Sequence, residues 1–166
     1  YVDAAGFLMQ YDDMMEFTFG MWGQRGPGFK SVNVGKTQIS GIELSLTGQG
    51  KITRDVSINI LAGYTYMNPI SLDLESVYAS DITGTGVTYQ NSSSESRILK
   101  YRYKHIAKLD AEIIYKELSL GSSFRYNDFM QNIDKIFTTG RYAGSYLTFE
   151  GSPASKGELQ FDLWHT

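Results

Sequence analysis

Between Lys100 and Asp128 the side chains sort by parity into two chemically opposite sets. Ala107, Leu109, Ala111, Ile113 and Tyr115 hold the odd positions, whereas Lys108, Asp110, Glu112 and Lys116 hold the even ones, with Ile114 the exception. Successive side chains on an extended strand point to opposite faces, so this period of two predicts a long β-strand with one apolar and one charged face. After a minimal turn the pattern resumes: Leu118, Leu120, Phe124 and Tyr126 alternate with Ser119, Gly121, Ser123, Arg125 and Asn127. Two such strands with almost nothing between them predict an antiparallel hairpin.

The same device recurs along the chain. Residues 5–19 predict an up-strand with a local irregularity at Asp12 and Asp13, after which Met15, Phe17 and Phe19 alternate with Glu16 and Thr18. A Gly-rich connection is predicted over 20–29. A second strand over 33–51 sets Ile42, Leu44 and Leu46 against Glu43, Ser45 and Thr47, and turns at 52–55. A third, over 55–68, sets Val56, Ile58, Ile60, Ala62, Tyr64 and Tyr66 against Ser57, Asn59, Gly63 and Thr65, with Leu61 the exception. Long connections at about 69–98 and 129–156 precede the fourth and sixth strands, and the sixth alternates Leu159, Phe161 and Leu163 with Glu158, Gln160 and Asp162.

Connections therefore alternate short and long, with tight turns at 52–55 and 116–118 on one side and the long loops on the other. Outer-membrane β-barrels have this asymmetry, with short periplasmic turns and long extracellular loops. Tyr64, Tyr66, Tyr101, Tyr103, Phe124 and Tyr126 gather at the long-loop end with the parity of the apolar face, and Tyr115 sits on that face at the other end. Two aromatic bands about ten residues apart match the girdles of a bilayer-spanning wall, since a tilted strand crosses in about 9–11 residues. A soluble β-sandwich shares the alternation. Strand length separates the two, because soluble strands usually run about 5–6 residues and three of these are much longer. The expected fold class is all-β: an antiparallel, up-and-down transmembrane β-barrel, of which 1–166 supplies about six strands of wall.

Composition removes other classes. With 42% hydrophobic, 20% charged and 14% aromatic residues the chain is built to fold. A net charge of −3 with both signs interspersed argues against nucleic acid as a partner. The absence of cysteine excludes a disulfide framework and a thiolate metal site, and no apolar run is long enough for a transmembrane helix. Tyr1 lies in strand-like sequence with no leader before it, so the chain is expected to be an internal piece of a longer protein.

Asn33, Gly35, Gly41 and Glu43, in NVGKTQISGIELSL, resemble the N-x-G-x-x-x-x-x-G-x-E strand motif of TonB-dependent outer-membrane receptors. The neighbouring segments fit in order: YDDMMEF before it, the Y-T-Y-x-x-P strand end from Tyr64 to Pro69 after it, then LKYRYKHIAKLDAEI, similar to the family's L-x-Y-x-P-x-H segment with Tyr103 in place of proline. The resemblance implies the C-terminal part of a 22-stranded barrel, about strands 15–20, with the N-terminal plug, the TonB-contacting box and the terminal strands outside this chain. It also implies a Gram-negative outer membrane. The implied partners are the bilayer and lipopolysaccharide, the protein's own plug, the TonB energy-coupling complex, a surface lipoprotein and a small-molecule ligand. The implied activity is energised uptake of a scarce bulky ligand, whether siderophore, haem, cobalamin or glycan. A passive porin is the alternative, and a soluble β-rich binding module the third reading.

No catalytic residues, cofactor or metal site are expected. Asp12, Asp13 and Glu16 read as a solvated strand kink, since adjacent carboxylates on a strand face opposite ways. His105 and His165 lack metal-ligand spacing. TGTG at 83–86 lacks the strand and helix context of a phosphate loop, and the acceptor-like NSS at 91–93 sits in a loop. Tyr78, Tyr89, Arg97, Arg141, Tyr142 and Tyr146 offer aromatic and cationic groups in the long loops, either to a ligand or to one another. Glu43, Lys108, Asp110, Glu112 and Arg125 carry the parity of the lumen face, where they either contact the plug or solvate the wall.

Overall fold

The strands run, in chain order, β1 Val2–Tyr11, β2 Met15–Met21, β3 Pro27–Asn33, β4 Thr37–Lys51, β5 Val56–Ser71, β6 Ala79–Ser80, β7 Gly86–Val87, β8 His105–Tyr115, β9 Leu118–Asn127 and β10 Glu158–His165. The only helical pieces among the described residues are α1, Tyr89–Ser92, and a 3-10 turn at Lys135–Phe137. This computed structural model describes residues 1–22, 26–95, 97–138 and 158–165. Six strands form one antiparallel sheet in the order β1-β4-β5-β8-β9-β10. It is an open wall, not a closed barrel.

Register carries the two faces across the whole sheet. Ala4, Leu44, Tyr64, Ala107, Tyr126 and Leu159 occupy one row, whereas Asp3, Ser45, Gly63, Lys108, Arg125 and Gln160 occupy the next, on the other face. A shift of one residue in any pair would put charge on the apolar face, so the pattern itself pins the pairing. Ile42, Leu109, Leu120 and Leu163 remain 47, 41, 57 and 67% exposed along the apolar face. A soluble sandwich would bury those positions under a second sheet. Here they suit hydrocarbon.

Aromatic groups close that face at both ends. His105 Nδ1 lies 2.7 Å from the Tyr64 hydroxyl, and its ring centroid is 5.1 Å from that of Tyr66. Tyr115 pairs with Val56 at the opposite end. Ten residues of β5 separate the two levels, about 33 Å along the strand and about 23 Å in height at a 45° tilt, close to the apolar band of a barrel wall. At the short-turn end the Lys116 amide donates to the Asp55 carbonyl at 3.1 Å, tying the two tight turns together.

Three predicted boundaries are corrected. The strand over 5–19 is two strands: β1 pairs with β4, whereas β2 pairs with β3 in a separate hairpin that occupies much of the predicted 20–29 connection. The second predicted strand breaks correspondingly at 34–36, where Gly35 has φ +77° and its amide donates to Asn33 Oδ1 at 2.8 Å. Asn33 thus spends its side chain on a local turn, which gives the Asn and first Gly of the sequence motif a mechanical role. Gly41 has a different one: a Cβ there would collide with the Phe7 ring and the Tyr66 carbonyl. The fourth strand starts at His105, five residues later than the pattern suggested, because Tyr101 turns the chain at φ +57°. Tyr101 and Tyr103 therefore leave the aromatic band.

Candidate functional site

The long-loop end is a folded cap. Val32, Val34, Tyr89 and Leu99 are buried together, with Met14, Ile39, Leu74, Tyr78 and Ala79 packed around them. Ile39 has the parity of the polar face, as do its partner Pro69 and the buried pair Thr37 and Ser71. The cap thus sits over the polar side of the wall, where a closed barrel has its lumen. Residues 97–99 run beside β5, through the Ile70–Ile98 bridge and the Ser71 amide bonded to the Arg97 carbonyl at 2.9 Å.

An ionic hub ties the cap together. Lys100 Nζ, fully buried, donates to Asp134 Oδ1 at 2.6 Å and to Ser92 Oγ at 2.8 Å. Asp134 Oδ2 accepts the Tyr101 hydroxyl at 2.5 Å and the Phe19 amide at 2.8 Å. The Tyr89 hydroxyl donates to Glu16 Oε2 at 3.2 Å and accepts the Lys100 amide at 2.7 Å. Arg102, half-exposed, lies 3.6 Å from Glu16 Oε1. Asn132 links the same segments: its Oδ1 accepts Ser94 Oγ and the Glu95 amide, and its Nδ2 donates to the Ile98 carbonyl. Four stretches distant in sequence (β2, α1, 97–102 and 132–134) therefore meet through polar groups taken out of water.

Burial sets the protonation of the hub. It pushes the Glu16 carboxyl above the usual carboxylate range, and Arg102, the Tyr89 hydroxyl and Lys100 only partly oppose it. Burial, with Glu16 and Asp134 as neighbouring anions, pushes the Tyr89 and Tyr101 phenols up, so both stay neutral donors. The hub contains neither a nucleophile activated by a base nor, among the described residues, three His, Cys, Asp or Glu side chains grouped to hold a metal. Its chemistry is positioning.

Of the residues expected to touch a ligand, Tyr78 is half-buried with its hydroxyl 2.6 Å from Ser92 Oγ, and Arg97 is exposed. Tyr89 has no exposed surface and faces Glu16 and Lys100 inside the cap. Arg141, Tyr142 and Tyr146 lie outside the described residues. Glu43, Lys108, Asp110, Glu112 and Arg125 share the polar face. There Asp110 accepts Ser123 Oγ and lies 3.4 Å from Arg125, and Glu112 accepts Asn59 Nδ2 at 2.9 Å. Lower on this face a hollow of about 740 Å³ is lined by Gln49, Asn59, Asp110, Glu112 and Trp164 among others.

Sequence reading missed Lys100, Asn132 and Asp134, and took Glu16 for part of a solvated kink; Glu16 is 6% exposed. Glu16 does alternate with Met15 and Phe17, but alternation gives the face and not what covers it. For Lys100 no signal exists in its own neighbourhood, since its partner is 34 residues away.

A wall that is apolar outside and polar inside, roofed by its own loops, defines a β-barrel protein of an outer membrane. The chain belongs to the TonB dependent receptor-like β-barrel family, whose profile matches residues 1–163. That family comprises outer-membrane receptors and transporters of Gram-negative bacteria, not enzymes. Separately, 22 residues, 13% of the chain, are 77% identical to part of ribonucleoside-diphosphate reductase large chain 2 of Saccharomyces cerevisiae. The chain spans about 2% of that protein's length. A match so much shorter than a domain transfers neither fold nor activity.

Proposed function

We propose that this chain is part of a receptor for energised uptake of a scarce, bulky ligand across the outer membrane, and that it supplies wall and extracellular loops from the C-terminal part of the barrel. The observation that carries this reading is the folded cap over the polar face. A passive pore gains nothing from an ion-paired roof across its mouth, whereas a receptor needs a preformed surface there to select its cargo. In this reading Tyr78 and Arg97, with Arg141, Tyr142 and Tyr146, present aromatic and cationic groups to the ligand, and Tyr89 supports them from beneath. Glu43, Lys108, Asp110, Glu112 and Arg125 face the plug, which couples the wall to the TonB complex. Siderophore, haem, cobalamin and glycan all fit such a surface, and a surface lipoprotein is a compatible partner.

Replacing residues 72–96 with a short Gly-Asn turn tests this directly. The barrel should still fold, because the wall's hydrogen bonds lie below the loop, while ligand affinity and growth on the limiting nutrient both fall. Unchanged or increased flux in the variant, or wild-type uptake that continues with the inner-membrane energy coupling disabled, would identify a pore instead.

A further inference from the structure

Two adjoining hollows lie beside the hub, one of about 370 Å³ and one of about 520 Å³, and Trp22 and Asp81 line both. The first runs along Asn91, Ser92 and Lys135, the second along Pro27, Lys30 and Ser80. Trp22 shares the parity of Glu16 and Thr18, the residues of β2 that the cap buries. Its Nε1 donates to the Gly28 carbonyl at 2.7 Å, and a Cβ on Gly20 would run into its six-membered ring. Glycine at 20 thus lets the indole lie down on the hairpin, and its orientation is set before anything binds. Lys30 Nζ stands over that ring at 5.2 Å from its centre. Asp81 is fixed from the other side. Its Oδ1 accepts the Thr83 hydroxyl at 2.7 Å, the Thr83 amide at 2.8 Å and the Thr85 amide at 2.9 Å. These bonds, the Thr83 hydroxyl foremost, hold the carboxyl below the usual carboxylate range, so it stays an acceptor. Among the described residues no side-chain partner engages its Oδ2.

We propose that the two hollows form one subsite for a neutral oligosaccharide, with a sugar ring stacked on Trp22 and its hydroxyls bonded to Asp81 Oδ2 and Lys30 Nζ. This rests on the receptor reading and names the class of its cargo. A pyranose has an apolar C–H face and a rim of hydroxyls, so it needs a flat aromatic surface with an acceptor and a donor beside it. Trp22, Asp81 and Lys30 supply those three groups. Charge disfavours the alternatives: a polyanionic iron chelate would meet the Asp81 carboxylate, and a cationic ligand would meet Lys30 and Lys135. Haem would need an apolar slot and an iron ligand, and no histidine lines either hollow. Shape agrees as well. Two hollows joined at one aromatic ring, each within the range of small-molecule sites, suit a ligand built of repeated units.

Calorimetric titration of the complete receptor in detergent with short neutral glucans, mannans and galactans tests the assignment, with haem and a ferric catecholate as competing probes. At least one of the glycans should bind. Trp22→Ala should weaken that binding about tenfold or more, and Trp22→Phe, which keeps a flat ring, should lose less. Asp81→Asn turns an acceptor into a donor and should also cost about tenfold. Ile82→Ala, 57% exposed on the same loop and lining neither hollow, should bind as wild type does. Heat-modifiable gel migration reports folding, and should Trp22→Ala fail to fold, Asp81→Asn carries the test. Failure of every glycan to bind, or binding that Trp22→Ala and Asp81→Asn leave unchanged, would overturn the subsite. Haem or the ferric catecholate bound in place of glycan would overturn it too, while leaving the receptor reading intact. Trp22-dependent glycan binding together with uptake that persists without energy coupling would keep the subsite and remove the receptor.

Discussion

Lys100 shows what one residue can decide in this molecule. A fully buried ammonium is tolerated only because Asp134 and Ser92 accept from it, and removing one member of such a pair leaves the other charge buried without compensation. Lys100→Met should therefore loosen the cap by about 3–5 kcal/mol, read as lost hydrogen-exchange protection at amides 97–102 and 130–134. An unchanged exchange pattern would show that the pair is not what closes the cap. Glu16 acts with the opposite sign. Its carboxyl is held above its ordinary range by burial, so the folded cap binds a proton more readily than the unfolded segment does. The cap is then most stable below the ordinary carboxylate range, weakens as pH rises from there through the raised value, and changes no further above it. Glu16→Gln keeps an oxygen for the Tyr89 hydroxyl and removes the charge, so it should raise exchange protection at neutral pH and make no difference at acid pH. Equal protection in both proteins across the range would show that burial does not raise the carboxyl.

The strands obey a simpler rule than the cap. On β5 and β8, Ile58 and Ile113 face each other on the apolar side, and the neighbouring pair Asn59 and Glu112 lies on the polar side. Leu109→Arg, near the bilayer midplane, should destabilise the complete barrel by about 2–4 kcal/mol, and Ile58→Arg, one row from the Tyr115 band, should cost less. Lys108→Glu should cost much less, because its side chain meets water or polar groups. Folding titrations into lipid vesicles measure all three, and equal costs at both parities would refute the assignment of faces. The exceptions to alternation are instructive at this scale. Leu61 lies on the polar face opposite Asp110, and Ile114 opposite Ser57, so each is an apolar residue facing inward rather than a slip in register. The hairpin β2–β3 was the element least visible beforehand. Its apolar residues continue the pattern of β1, and only the Asn33–Gly35 turn, with the matching break at 12–14, shifts it into a sheet of its own.

At the scale of the whole molecule, the wall was legible in the sequence and the cap was not. Alternation at period two fixed which residues share a face, where the two tight turns fall and that strands longer than a soluble sheet needs run between aromatic bands. These are local properties: each follows from neighbours a few positions apart and from the pleat of an extended chain. The order of weak motifs around Asn33, Gly35, Gly41 and Glu43 then pointed to the family that the profile over residues 1–163 establishes. What the tertiary structure alone decided is the roof. Phe19 meets Asp134 across 115 positions, Tyr89 meets Glu16 across 73, and Lys100 meets Asp134 across 34. A lysine, a glutamate and a tyrosine in polar loop sequence look solvated until the chain folds back and excludes water from all of them at once, and no local period records that event.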